Sequence, residues 1–282
     1  MQEPCIQSPA GRELCGMPQG WAHNTLPLST AYLALVLAFA LLWLRQLRTK
    51  NATSVDLAWS MAIGVLGLAW AAVSAGSPAH RLLAGAIALL WSGRLSWHLY
   101  RDRVRGHADR EDGRYAAMRA HYGRHAGLHF AWFYQLQAAA AFAFAVPFAA
   151  IAGHQAPLGP VQVLGAAVFL VAWGLESAAD RQLAAHRRDP QQKGKACRRG
   201  LWRYSRHPNY FFEWVSWCGI GLCALPAAGW WALLQPALML VLVRFVSGVP
   251  FAEQQSLRSR GADFRRYQQE TNCFVPLPPR RA

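Results

Sequence analysis

Seven stretches of this 282-residue chain carry almost no charge, over residues 26–44, 57–75, 82–100, 130–152, 158–175, 211–225 and 230–249. A helix needs roughly 20 apolar residues to cross a bilayer, and each stretch approaches that length. The fifth is short because Glu176 follows it, and the sixth spans only if Tyr210 and Pro226 lie at the two interfaces. The pattern therefore predicts an all-α, polytopic membrane helix bundle of about seven transmembrane helices.

Basic residues test the count independently, because Lys and Arg collect in cytoplasmic loops. Arg45, Arg48 and Lys50 follow the first run, residues 101–124 follow the third, residues 181–206 follow the fifth, and residues 258–281 form a basic tail. The N-terminus has only Arg12, and the other connections have at most Arg81. Seven spans with the N-terminus outside and the C-terminus cytoplasmic satisfy this alternation, whereas six or eight would place basic segments on opposite sides.

The formal net charge of +15 then reads as topology rather than as a nucleic-acid-binding surface. No basic helix or RNA-binding motif argues otherwise, so no nucleic-acid partner is expected. The first 24 residues lack the charged and apolar regions of a signal peptide, and the first apolar run is expected to stay as an anchor. They form a short segment ahead of one membrane-embedded domain, residues 25–282. Abundant Ala and Arg with little Lys suggest a GC-rich bacterial genome, and hence an integral protein of the bacterial inner membrane. Cys5 and Cys15 would face an oxidising compartment, where a disulfide is one possibility, and none of the six cysteines forms a metal-type CxxC pair.

The seven-span topology places polar residues at the cytoplasmic ends of the spans. Asp56 opens the second, Arg94 lies near the end of the third, and Gln135 and Gln137 are near the start of the fourth. Glu176 and Asp180 close the fifth, Glu213 opens the sixth, and Arg244 and Glu253 lie near the end of the seventh. Ionisable groups at such depths are costly, so a polar cavity open to the cytosol is one expectation. Plainer readings stand beside it. Asp56 can cap its helix, Arg94 and Arg244 can snorkel to headgroups, and the two Gln can bond neighbouring helices.

Residues 200–213, GLWRYSRHPNYFFE, join a cationic, aromatic cluster to an apolar segment. Arg203, Arg206 and His207 donate to phosphate or carboxylate groups, Asn209 both donates and accepts, and Trp202, Tyr204 and Tyr210 offer flat surfaces. Nine Lys or Arg residues crowd positions 179–206, which makes this loop the strongest candidate for an anionic cofactor. GxGxxG, Walker, HExxH and GxSxG motifs are all absent. His121, His125 and His129 recur every four residues, but with no Cys or carboxylate pair beside them no metal site is expected.

The GLWRYSRHPNYFFE segment resembles the C-terminal domain of the steroid 5-alpha-reductase family, in its bacterial branch. SVDLAW at 54–59, EDGRY at 111–115, FYQLQ at 133–137 and the stretch SGVPFAEQQSLRSRGADFRRYQQETNCFVP at 247–276 resemble that branch in the same order, so the likeness runs from about residue 30 to the end. It implies a seven-helix bundle that holds NADPH in a cytosol-facing cavity and reduces a carbon–carbon double bond conjugated to a carbonyl in a steroid-like or lipidic substrate. The cofactor residues it implies are Asp180, Arg187, Arg203, Tyr204, Arg206, His207, Asn209, Tyr210, Glu213 and Tyr267.

The chain departs from the family in two ways. Phe212 stands where the family has Gly, and the N-terminal Glu motif and the Tyr before an Arg on the third span are missing, since Trp91, Ser92 and Gly93 precede Arg94. Enone reduction needs a donor to the carbonyl oxygen. The candidates are Arg94, Tyr100 and Tyr115, with Asp56 and Gln135 as orienting groups. The RHPxY core is also similar to membrane methyltransferases of the isoprenylcysteine carboxyl type, which bind S-adenosylmethionine, and a non-catalytic lipid-binding protein is a third reading. Membrane lipids are partners in every case.

Overall fold

The described part of each apolar run lies mostly in helical structure. The computed structural model describes residues 6–7, 13–14, 27–105 and 111–280, so the Cys5 and Cys15 pairing lies outside the described residues. Apart from a two-residue antiparallel pair, β1 (Ile6–Gln7) with β2 (Glu13–Leu14), the regular elements are helices. They are α1 (Leu28–Thr49), α2 (Val55–Val73), α3 (Pro78–Leu99), α4 (Gly113–Tyr122), α5 (Ala126–Gly153), α6 (Pro160–Arg188), α7 (Pro208–Ala228), α8 (Leu234–Val241) and α9 (Val249–Glu270). The protein is an all-α polytopic membrane protein.

Five helical stretches are long and apolar enough to cross a membrane: Leu28–Thr49, Val55–Val73, Gly113–Gly153, Pro160–Arg188 and Pro208–Glu270. The last contains the sixth and seventh expected runs. The third run lies in α3, which has the length but is diluted by His80, Arg81, Arg94 and His98. The seventh is broken up: a 3-10 turn (Gly229–Leu233), α8 and a π turn (Leu242–Val246) follow one another. Leu33, Leu37, Leu41 and Leu44 recur at helical spacing on α1 and are exposed, as are Leu128, Trp132 and Leu136 from α4's neighbour α5. Apolar faces of this size suit lipid rather than water.

The chain forms two compact units, Met1–Leu158 with Ala227–Gly229, and Gly159–Pro226 with Trp230–Ala282. In the first, Trp70, Trp91, Phe39, Phe130, Phe144 and Phe148 are fully buried. Small residues let α2 approach its neighbours: a Cβ on Gly64 would fall 2.3 Å from Ser92 Oγ, and one on Gly67 would fall 2.6 Å from Ala88 Cβ. In the second unit α6 and α7 touch backbone to backbone. A Cβ on Gly165 would lie 2.7 Å from the Gly219 carbonyl oxygen, and one on Gly219 would lie 2.6 Å from Phe169 N. Close contact through small residues is how membrane helices pack when water supplies no drive between them.

Helix ends follow the local sequence. Ser77 caps α3, its Oγ accepting from His80 N–H, with Pro78 in the first turn where no donor is needed. Lys50 ends α1 in a left-handed conformation, φ 52°, and its N–H reaches Gln46 O. α9, the C-terminal part of the Pro208–Glu270 stretch, carries Glu253, Arg258, Arg260, Asp263, Arg265, Arg266 and Glu270, too many charges for hydrocarbon, so the apolar part of that stretch lies ahead of it.

Candidate functional site

In the second unit, the GLWRYSRHPNYFFE segment is hydrogen-bonded to α6 and α9 through Leu201, Trp202, Ser205, Arg206, His207 and Asn209. Gly200 has φ 59°, and a Cβ there would fall 2.5 Å from the Gln182 side chain, so glycine meets both a backbone and a space requirement. Leu201 N–H donates to Gln182 Oε1 at 2.9 Å, and Trp202 Nε1 donates to Ala179 O at 2.9 Å. The Tyr267 hydroxyl donates to the carbonyl oxygens of Trp202 and, at 3.3 Å, Ser205. Burial and the neighbouring Cys197 raise its pKa well above the usual phenol range. Tyr267 therefore holds the turn before α7 and is committed as a donor.

Arg206 and His207 converge on a residue of α9, Glu253. Arg206 Nε donates to Glu253 Oε1 at 2.7 Å and Nη2 to Oε2 at 3.2 Å, while Nη1 reaches Thr271 O at 2.6 Å and Gln268 O at 3.2 Å. His207 Nε2 lies 3.1 Å from Glu253 Oε1, and Gln268 Nε2 donates to Oε2 at 2.6 Å. Burial alone would raise the Glu253 pKa, but hydrogen bonds from His207, Arg206 and Gln268 and the Arg206 charge bring it down to about 2. Burial also lowers the His207 pKa, against the pull of Glu253. The His207 ring stacks on Tyr210, with centroids 5.6 Å apart and planes at 10°.

His207, Glu253 and Cys273 bring their potential ligand atoms within 4.8 Å of one another, the converging metal-type group among the described residues. Both oxygens of Glu253 already accept from the Arg206 guanidinium. A metal cation would have to sit beside that fixed positive charge, which argues against the group as a metal centre. The His121, His125 and His129 series forms no such group: His129 stacks on Tyr122 at 3.7 Å and His125 Nε2 accepts from Arg124.

The first turn of α7 presents the groups best suited to a ligand. Asn209 Nδ2 donates to Asp180 Oδ1 at 3.1 Å, and Asn209 Oδ1 is buried with no hydrogen-bond partner. One turn on, Glu213 is buried and its Oε1 accepts from Trp217 Nε1 at 2.9 Å. Asn209 and Glu213 are four apart and so share a face of α7. Arg203 and Tyr204 are exposed, and Arg187 stands exposed at the end of α6.

The residues proposed from the sequence for substrate chemistry belong to the first unit. Asp56 accepts from three donors: Arg103 Nη1, Arg114 Nη2 at 2.6 Å and the Tyr115 hydroxyl at 2.6 Å. Arg114 also donates to Asp112, at 3.0 Å from Nε and 3.1 Å from Nη2. Burial would raise the Asp112 pKa, yet hydrogen bonds from Arg114 hold it below the usual carboxylate range. Beside this cluster, Arg119 pairs with Glu111 at 2.7 Å and reaches Gln46 Oε1 at 3.1 Å.

Tyr115 and Asp56 are thus together, while the other candidates are placed separately. Gln135 Nε2 donates to Val36 O at 3.4 Å, the interhelical use of a membrane glutamine. Tyr100 is exposed beside Trp97 in the π turn Tyr100–Val104, and Arg94 is half-buried on α3. Sequence reasoning passed over Arg103, Arg114, Gln268 and Trp217 as partners. The order of residues gives no sign that positions 47 or 58 apart, such as Asp56 with Arg103 and Arg114, will meet.

The family model described as "Protein of unknown function (DUF1295)" matches residues 42–271. The chain belongs to that family. No curated protein and no solved structure matches it. The matched segment contains Asp56, Tyr115, Asp180, Asn209, Glu213 and Glu253, and so takes in both clusters.

Proposed function

We propose that this DUF1295 protein is a membrane-embedded reductase that uses NADPH to reduce a carbon–carbon double bond conjugated to a carbonyl in a steroid-like or lipidic substrate. The observation that carries the reading is Asn209, whose buried Oδ1 lacks a donor while its Nδ2 is fixed by Asp180. Such an acceptor fits an amide N–H, the polar handle of a nicotinamide ring. Glu213 on the same helical face and the exposed Arg203, Tyr204 and Arg187 would complete a site for an amide and anionic groups. Arg206, His207 and Tyr267 serve it from behind, through Glu253 and the Trp202 carbonyl.

NADPH, when bound, supplies the hydride. The chain must hold the donor that stabilises charge on the enone oxygen. Within the first unit, Tyr115 is the candidate whose hydroxyl already donates, to Asp56 at 2.6 Å, and a substrate oxygen has to compete with Asp56 for that proton. The apolar exposed faces support a substrate that arrives from lipid. We further propose seven spans in the bacterial inner membrane, with the N-terminus outside. A C-terminal reporter that is active only in the cytoplasm is expected to work, and one active only outside is expected to fail.

Titration of the purified protein in nanodiscs with NADPH and with S-adenosylmethionine tests the cofactor. We expect NADPH to bind and Asn209→Ala to weaken it at least tenfold, about 1.4 kcal/mol. Binding of S-adenosylmethionine alone would point to methyl transfer instead. NADPH affinity and turnover unchanged in both Asn209→Ala and Glu213→Gln would remove the site.

A further inference from the structure

A second basic feature lies beyond the α7 residues. The last turn of α6 and the loop after it contribute Arg187, Arg188, Lys193 and Lys195 to a cavity of about 420 Å³, and Arg260 from α9 lines the same cavity. These five cations face one lining carboxylate, Asp189, which is engaged in capping the turn through Gln191 N–H at 2.9 Å. Arg260 Nη1 donates to Ser256 Oγ at 3.0 Å. Among the described residues, no carboxylate forms an ion pair with Arg187, Lys193, Lys195 or Arg260.

The clustering is built into the fold. Asp263, one turn after Arg260, clamps the loop to α9: its Oδ2 accepts from Ala196 N–H at 2.6 Å, and its Oδ1 accepts from Arg198 Nη1 at 2.9 Å. α9 is interrupted directly after Arg260, where Gly261 has φ 48° with open space around its Cβ position, so glycine serves the backbone angle alone. The α6 dipole accounts for cations at that helix's C-terminus but not for Arg260, which comes from the middle of another helix. Arg187 and Arg260 line the same cavity, and burial and then the charge of Arg187 lower the Arg260 pKa against the pull of Asp263. Like charges held together are stabilised by an anion between them.

We infer that the cavity formed by Arg187, Lys193, Lys195 and Arg260 binds a phosphate or diphosphate group. Guanidinium forks match phosphate oxygens in pairs, and the lysines add point charges. The group can belong to a soluble nucleotide or to an anionic lipid headgroup. Where it belongs to a dinucleotide, the inference rests on the reductase reading, since Arg187 is shared.

The test is calorimetric titration of inorganic pyrophosphate into the full chain in phosphatidylcholine nanodiscs. Binding is expected, weakened at least tenfold by Arg187→Gln and by Arg260→Gln, and changed less than twofold by Arg265→Gln, an exposed position on the same helix. A nucleotide source predicts that NADPH competes with pyrophosphate. A lipid source predicts that phosphatidylglycerol in the disc competes instead, and that the Arg260→Gln protein retains less of it by native mass spectrometry. No pyrophosphate binding to the wild type, or equal binding to both variants, overturns the site. NADPH binding untouched by either variant, with no pyrophosphate binding, would remove this site and leave the reductase reading standing. Pyrophosphate binding without NADPH binding would do the reverse.

Discussion

At the scale of single residues, Glu253 organises the second unit. Its carboxylate receives Arg206, His207 and Gln268, and the Arg206 and Glu253 side chains are only 10% and 16% exposed. Removing one charge of a largely buried pair leaves the other without compensation. Glu253→Gln is therefore expected to cost roughly 3 kcal/mol, read as a lower midpoint in thermal unfolding of the purified protein. A change below about 0.5 kcal/mol would show that Arg206 is held by the Gln268 and Thr271 carbonyls alone. Asn209 behaves differently, because it carries no charge and has one hydrogen bond to lose, from Nδ2 to Asp180, while its side-chain oxygen has none. Its replacement is expected to act on binding more than on stability.

At the scale of elements, the α6 and α7 pair depends on Gly165 and Gly219. Each Cβ position is within 3 Å of backbone atoms of the facing helix, which cannot rotate aside as a side chain can. Gly165→Leu should separate the helices and destabilise the protein by at least 1–3 kcal/mol, the range for overpacking. Unfolding measured against Gly174→Leu, where 4 Å around the Cβ position is open, isolates the effect. Equal stabilities would mean that α6 and α7 do not rely on this approach. The same pair carries Asp180 and Asn209, so the close contact also sets their hydrogen bond.

At the scale of the molecule, two groups of titrating residues set separate pH windows. His80 is buried at the start of α3, with its ring 4.8 Å from that of His154. Burial, and then the charge of His154, lower the His80 pKa below 6.5, and burial lowers that of His154. Below that pH the unfolded chain takes up protons that the folded state resists, so this stability is present above pH 6.5 and is lost as pH falls through the lowered values. Glu253 acts further down, from its ordinary 4.5 to about 2, because the unfolded carboxyl takes its proton first. Thermal midpoints should therefore fall in two stages on acidification. His80→Phe should reduce the first stage, which His207 shares, and Glu253→Gln the second, which Asp112 and Asp263 share; a first stage unchanged in His80→Phe would assign it to other groups.

The sequence by itself determined that this chain is helical and membrane-embedded, because the length and apolar character of a run are local properties that a bilayer reads directly. It also singled out the GLWRYSRHPNYFFE segment and several of its polar neighbours, since such side chains are costly beside lipid wherever the chain places them. Partnership is not local. That Arg206 and His207 turn to Glu253, that the Tyr267 hydroxyl goes to the Trp202 carbonyl, and that Tyr115 donates to Asp56 each join residues 46 or more positions apart. Only the tertiary structure decided which polar groups are engaged in holding the fold, which, like Asn209 Oδ1, are buried without a hydrogen-bond partner, and which, like Arg187 and Arg260, line one cavity. A hydrogen bond is a matter of position within tenths of an ångström, and the folded backbone alone supplies it.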